Sequence, residues 1–126
     1  MIIHEFLKAA DAAGAGTEGV DLFLGAVPAE IGRSALFTPN GGDFHKDTNG
    51  GLRNSKFLVT VKDAAFQDAY DFALSLMGAL TIRQQQLAGH WVYHCLPSTE
   101  PVPLTSEGSG VFAFNINFDA TWRLAV

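Results

Sequence analysis

His90, His94 and Cys95 fall within six positions of one another, and imidazole and thiolate are the groups that hold zinc and related metals. A strand over residues 84–96 would position them. In it Leu87, Gly89, Trp91, Tyr93 and Cys95 share one face, and Ala88, His90, Val92, His94 and Leu96 share the other. The two histidines then lie about 13 Å apart along the strand, while zinc ligands sit about 2 Å from their ion. Cys95 points to the opposite face. The spacing predicts no metal site, and Cys95 reads as a small buried hydrophobe instead of a thiolate nucleophile.

Asp68 and Asp71 lie one helical turn apart. They read as the wet face of a solvated helix or as an acidic contact with a neighbouring subunit. The glycines of residues 39–51 lack the Gly-Lys-Ser/Thr ending of a phosphate loop, and no nucleophile elbow or dinucleotide fingerprint occurs. The residues therefore predict no catalytic site, no metal and no cofactor.

The elements around these residues are organised by the stretch 53–80. Phe57, Val59 and Val61 alternate as in a strand, and Asp63 suits an N-cap. Phe66, Ala69, Tyr70, Ala73, Leu74, Met77 and Leu80 then form the stripe of an amphipathic helix. Upstream, Ile2, Ile3, Phe6, Leu7, Ala10 and Ala13 predict another helix, with Gly14 as a left-handed stop. Residues 19–25 predict a short strand, and 35–38 a brief strand ended by Pro39. Residues 39–51 predict a long mobile loop carrying Asn40, Asp43, Phe44, His45, Lys46, Asp47 and Asn49.

The last segment alternates strictly: Phe112, Phe114, Ile116, Phe118, Ala120, Trp122, Leu124 and Val126 are all apolar, as in a half-buried strand. Fifteen extended residues would span roughly 50 Å, against a diameter of about 35 Å for a compact chain of this size. The strand is expected to bend at a bulge near 119–120 or to overhang, offering Trp122 and Leu124 to another subunit. Arg53 and Arg123 flank strands and are further candidate interface residues. The expected order is α-β-β-β-α-β-β: an α+β domain spanning 1–126, with two helices on one face of a mixed, mainly antiparallel sheet of about five strands.

Composition narrows the function classes. The chain of 126 residues is 48% hydrophobic with ten Phe, which excludes a disordered chain. No apolar run approaches the ~18 residues of a membrane span, and the first residues lack the pattern of a secretory signal. Eight basic against thirteen acidic residues give a net charge of −5. That balance argues against neutralising nucleic-acid phosphates and suits a surface that DNA slides past. A single cysteine excludes an internal disulfide and fits assembly in a reducing cytosol.

The order of motifs resembles the tail terminator or minor capsid proteins of tailed phages. It is carried by Ala35-Leu36-Phe37-Thr38-Pro39-Asn40-Gly41-Gly42, by 52–62 as a return strand, and by the Tyr/Ala-rich helix 65–73. A polar turn at 104–108 and the Asn-containing strand 112–118 complete it. Phe44-His45 and Gly110 or Val111 depart from the pattern. The resemblance implies a structural virion protein, assembled in the host cytoplasm, that forms a ring, usually a hexamer, on the head-proximal end of the tail tube. Its implied partners are other copies of itself, the major tail tube protein and a head-tail connector or head-completion protein. Genomic DNA would pass through the ring without specific binding, and no membrane is involved. By the same analogy the loop 40–51 would reach the lumen or the tube. The residues also leave open another neck component or a monomeric small-ligand module.

Overall fold

The computed structural model describes residues 2–26, 33–44, 52–104 and 111–124. The first helix, α1 (Ile2–Ala12), buries Ile2, Ile3, Phe6, Leu7 and Ala10 of the stripe its sequence predicts, while Ala13 lies past its end and is exposed. It ends as expected at Gly14, which takes φ +82°. There the Ala15 amide donates to the Ala10 carbonyl and the Gly14 amide to the Asp11 carbonyl, both at 3.0 Å, satisfying carbonyls that the helix leaves open.

The short strand β1 (Leu22–Leu24) runs parallel to β2 (Ser34–Phe44). β2 does not stop at Pro39. It continues past a bulge between Pro39 and Gly42, where Gly41 adopts φ +86°, and pairs antiparallel with β3 (Arg53–Asp63). Pro39 is tolerated because β1 covers only Ala35, Leu36 and Phe37, so among the described residues no partner needs an amide from it on that side. The expected long loop therefore shrinks. Asn40, Asp43 and Phe44 are strand residues, and His45, Lys46, Asp47 and Asn49 lie outside the described residues.

β3 leads into α2 (Phe66–Leu80). Asp63 is not its N-cap. The cap position is Ala65, without a side-chain cap bond, while Asp63 accepts from its neighbour Ala64 and from Arg33. The buried stripe is also rotated from the expected one: Ala69, Phe72, Ala73, Leu76 and Leu80 face inward, and Phe66 and Leu74 are exposed. Both stripes satisfy helical spacing and share Ala69, Ala73 and Leu80; packing against the sheet takes Phe72 and Leu76 inward in place of Phe66 and Leu74.

The segment expected as one strand is a hairpin, β4 (Ile82–Leu87) and β5 (His90–Pro97), turning at Ala88 and Gly89. Ala88 takes φ +52° at the turn. A short strand, β6 (Val102–Leu104), follows. The final strand, β7 (Phe112–Leu124), neither overhangs nor bulges against its main partner: it pairs in register with β3 from Asp63↔Phe112 to Arg53↔Trp122. Its other edge is shared by β6 at its start and β5 at its end. β7 keeps its regular pairing with β3 because the irregularities fall in its neighbours, at Pro39/Gly42 of β2 and Val92/His94 of β5. The sheet order is β1-β2-β3-β7-β5-β4, with β6 beside β7. This is the expected α+β class and mixed, mainly antiparallel sheet, with seven strands among the described residues where about five were expected.

One face of the sheet carries the core. Phe57 of β3 is its hub, stacked nearly parallel to Phe6 of α1 at 5.2 Å, Phe118 of β7 at 5.0 Å and Phe37 of β2 at 6.0 Å. Arg33 ties its rim, 2.8 Å from Asp63 and 3.6 Å from Asp21, with its guanidinium 3.9 Å from the Phe72 ring centroid. Replacing Phe57 with Ala should cost about 3–5 kcal/mol, the range for emptying a buried aromatic site. Phe66→Ala should cost well under half of that, because its ring is 51% exposed. Urea denaturation of the two variants measures the contrast.

Candidate interaction site

The bulge in β5 decides the fate of the chemistry-bearing residues. Val92 pairs with Trp122 and Cys95 with Ala120, so an extra residue at Tyr93 sends both Val92 and Cys95 to the core face. His90 lies on that side as well, its ring 5.0 Å from Trp122, while His94, opposite Thr121, faces the other way. The shared histidine face expected of a regular strand does not form. Nδ1 of each histidine is buried without a hydrogen-bond partner, and the two lie on opposite sides of the sheet. Among the described residues no three His, Cys, Asp or Glu side chains gather as a metal site. Among them, too, no helix is long and apolar enough to cross a membrane.

Cys95 is buried, and desolvation, aided by the nearby Asp119 carboxylate, pushes its thiol from an ordinary value of 9.0 up to about 12. It stays a neutral hydrophobe at physiological pH.

What the fold does build is a set of surfaces. The sheet face away from the helices carries a polar ladder. Thr60 donates to Asn115 at 2.9 Å, Asn54 to Asp119 at 2.8 Å and Asn40 to Asn117 at 3.3 Å. Thr60 and Asn115 stand directly opposite one another, Asn54 reaches Asp119 on the diagonal, and Asn40 of β2 reaches Asn117 of β7 over the intervening β3. The ladder is a layer of satisfied, mostly uncharged groups.

The opposite end of the chemistry scale is a greasy corner. Phe66 at the start of α2 meets Phe112 at 5.9 Å and Phe114 at 5.2 Å, and Tyr70 meets Phe114 at 5.6 Å. Of the six large apolar side chains exposed among the described residues, Phe66, Leu74, Val102, Leu104 and Phe112 belong to α2 or to β6 and the neighbouring start of β7, leaving only Val20 elsewhere. These five divide between the two faces: Phe66, Leu74 and Phe112 lie on the helix side, whereas Val102 and Leu104, opposite Asn115 and Ala113, lie on the other face, and the contiguous part is the Phe66–Phe112 pair.

The interface candidates from the sequence divide. Asp68 and Asp71 are exposed on α2, with Gln67 donating to Asp71 at 2.8 Å. Arg123 is exposed, 6.0 Å from the Tyr93 ring centroid. Trp122 is buried, its indole N–H donating to Ser55 at 3.0 Å, and Arg53 pairs with it across the ladder, its guanidinium 5.9 Å from the ring centroid. Leu124 ends β7 opposite His90. Trp122 therefore serves the core at this end of the sheet, while Asp68, Asp71 and Arg123 remain on the outside. Sequence reasoning missed the corner and the β4–β5 hairpin. The Ala88-Gly89 step inside an otherwise strand-like run was the available signal for the latter.

A sequence profile described as bacteriophage tail terminator protein matches residues 10–123. Among solved structures, the chain is similar to one from the virion of a native gene transfer agent particle, with a TM-score of 0.64 and 16% identity. That match covers 96% of this chain and 91% of the other, and at this identity it shows a common fold. No curated protein sequence matches.

The Cys95 thiol should resist alkylation by iodoacetamide at pH 8 in the native protein and react promptly in denaturant. Since its folded value lies above its unfolded one, its contribution to stability is present below pH 9 and lost as the pH rises toward 12. Denaturation at graded alkaline pH reads that fall.

Proposed function

The chain belongs to the bacteriophage tail terminator family, a structural protein of a phage virion, and on that premise we propose that it closes the head-proximal end of the tail tube. In this reading copies of the chain form a ring on the last tube layer, stop further tube growth, and present a surface to the head connector or head-completion protein. DNA passes through the ring without being held. The role is one of shape and contact, with no reaction and no cofactor.

The family match over residues 10–123 is the observation that carries the reading. The chemistry of the surfaces supports it. An acidic chain of net charge −5 has little capacity to neutralise phosphates, which suits a passage that DNA must traverse. The polar ladder on the open sheet face adds hydrogen-bonding groups already paired with one another. The interlayer space, where a small-ligand module would keep its pocket, is occupied by Phe6, Phe57, Phe72, Leu76 and Phe118 at 2% exposure or less.

Electron microscopy of particles produced without this chain tests the proposal. Overlong or ragged tails, separated from full heads, are expected. Tails of normal length beside leaking heads would assign the chain to the head side of the neck. Fully normal virions would refute a structural role at the junction.

A further inference from the structure

Four of the exposed charged side chains of the described chain fall in two separate places. The arginines Arg83 and Arg123 lie on the β4–β5 hairpin and the end of β7 beside it. Asp68 and Asp71 lie on α2, whose first turn meets the start of β7 at the other end of the sheet. All four are exposed. Arg83 has no ion-pair partner among the described residues, and neither has Asp68 or Asp71.

Each charged pair is set among apolar groups of its own. On α2, helical spacing places Asp71 and Leu74 side by side on the outward face, with Asp68 on one flank and Phe66 on the other. Leu74 is 42% exposed and Phe112, in edge contact with Phe66, is 37% exposed. On the hairpin, Trp91 pairs across the ladder with Arg123, so the two share a face, and Arg123 also lies 6.0 Å from the Tyr93 ring centroid. Trp, Tyr and Arg are the residue types that dominate binding energy at protein contacts. One surface is therefore acidic and aliphatic, the other basic and aromatic, and they lie at different ends of one molecule. Two such surfaces cannot satisfy each other within a chain. They complement each other between chains, in the head-to-tail arrangement that closes into a ring.

We propose that copies of this chain meet through these two surfaces, the outward face of α2 in one copy seated on the β4–β5 hairpin of the next. Asp68 and Asp71 then oppose Arg83 and Arg123, while Leu74 and Phe66 cover Trp91 and Tyr93. The contact rests on the ring reading above and names its interface. Complementary charge sets the register and hastens encounter, and the apolar centre supplies most of the affinity.

Two charge-reversed variants test it, Arg83→Glu with Arg123→Glu, and Asp68→Lys with Asp71→Lys. All four positions are exposed, so far-UV circular dichroism should match the parent, with a small fall in melting temperature for the variant carrying Asp68→Lys, which puts a cation in the first turn of α2. Assembly is read by light scattering of the chain alone and by co-sedimentation with purified tail tubes. Each variant by itself should need at least about ten-fold more protein to assemble, the factor set by roughly 1.4 kcal/mol. An equimolar mixture should recover parental assembly, since each reversed surface then meets its complement on the other variant. Leu74→Ser should weaken assembly without altering charge. Variants that assemble like the parent, or a mixture that fails to recover, overturn this contact and leave the ring standing. A parent chain that stays monomeric both alone and on tubes contradicts the ring, and this contact with it.

Discussion

The long antiparallel pairing of β3 with β7 is the constraint on which the rest of the molecule depends. It runs over every residue of β3 without a shift in register. Because side chains alternate along a strand, a slip of one residue would turn either Phe57, Val59 and Val61 or Phe114, Ile116 and Phe118 out of the core. The Phe57 stack reads out that register, since its ring contacts α1, β2 and β7 at once. Irregularity is displaced to the outer strands, which bulge while the central pair does not. The layout fixes which face carries the helices and which is left to polar pairs.

From that division come the two kinds of surface. The open face is built from Thr and Asn side chains that satisfy one another, so it costs little to leave it wet and little to set it beside another hydrated surface. The helix layer ends in the Phe66 and Phe112 corner, where, among the described residues, the start of β7 has only the short β6 beside it on its outer edge. A monomer gains nothing from such exposure. A protein built to stand against copies of itself and against neighbouring virion proteins can use it.

The sequence announced the parts of this fold that rest on a single period. The alternation from Phe112 to Trp122 could only be a half-buried strand, and the α1 stripe with Gly14 behind it could only be a helix with a glycine stop. The order of motifs was enough to suggest the family. What was not legible depended on partners distant in the chain. Pro39 looked like a terminator because the shortness of β1, which leaves that edge open, is a tertiary fact. The α2 stripe was rotated because 66-70-74 and 69-72-76-80 are both helical spacings, and only the aromatic hub over β3 selects between them. Asp63 looked like a cap because its actual partner, Arg33, lies thirty positions away. His90 and His94 appeared to share a face because a bulge at Tyr93 leaves no mark in composition. The candidate surfaces suffered most. Trp122 is available to another subunit only on an overhanging strand, and nothing local in the sequence marks Arg83, which lies on the edge strand β4.

The proposed ring would lie between tube and head. Cryo-electron microscopy of purified tails, with the chain fused to a small rigid marker, locates it. A single layer of marker density, repeated around the axis, is expected at the end of the tube that faces the head. Density distributed along the tube, at the distal tip or within the head shell would contradict it.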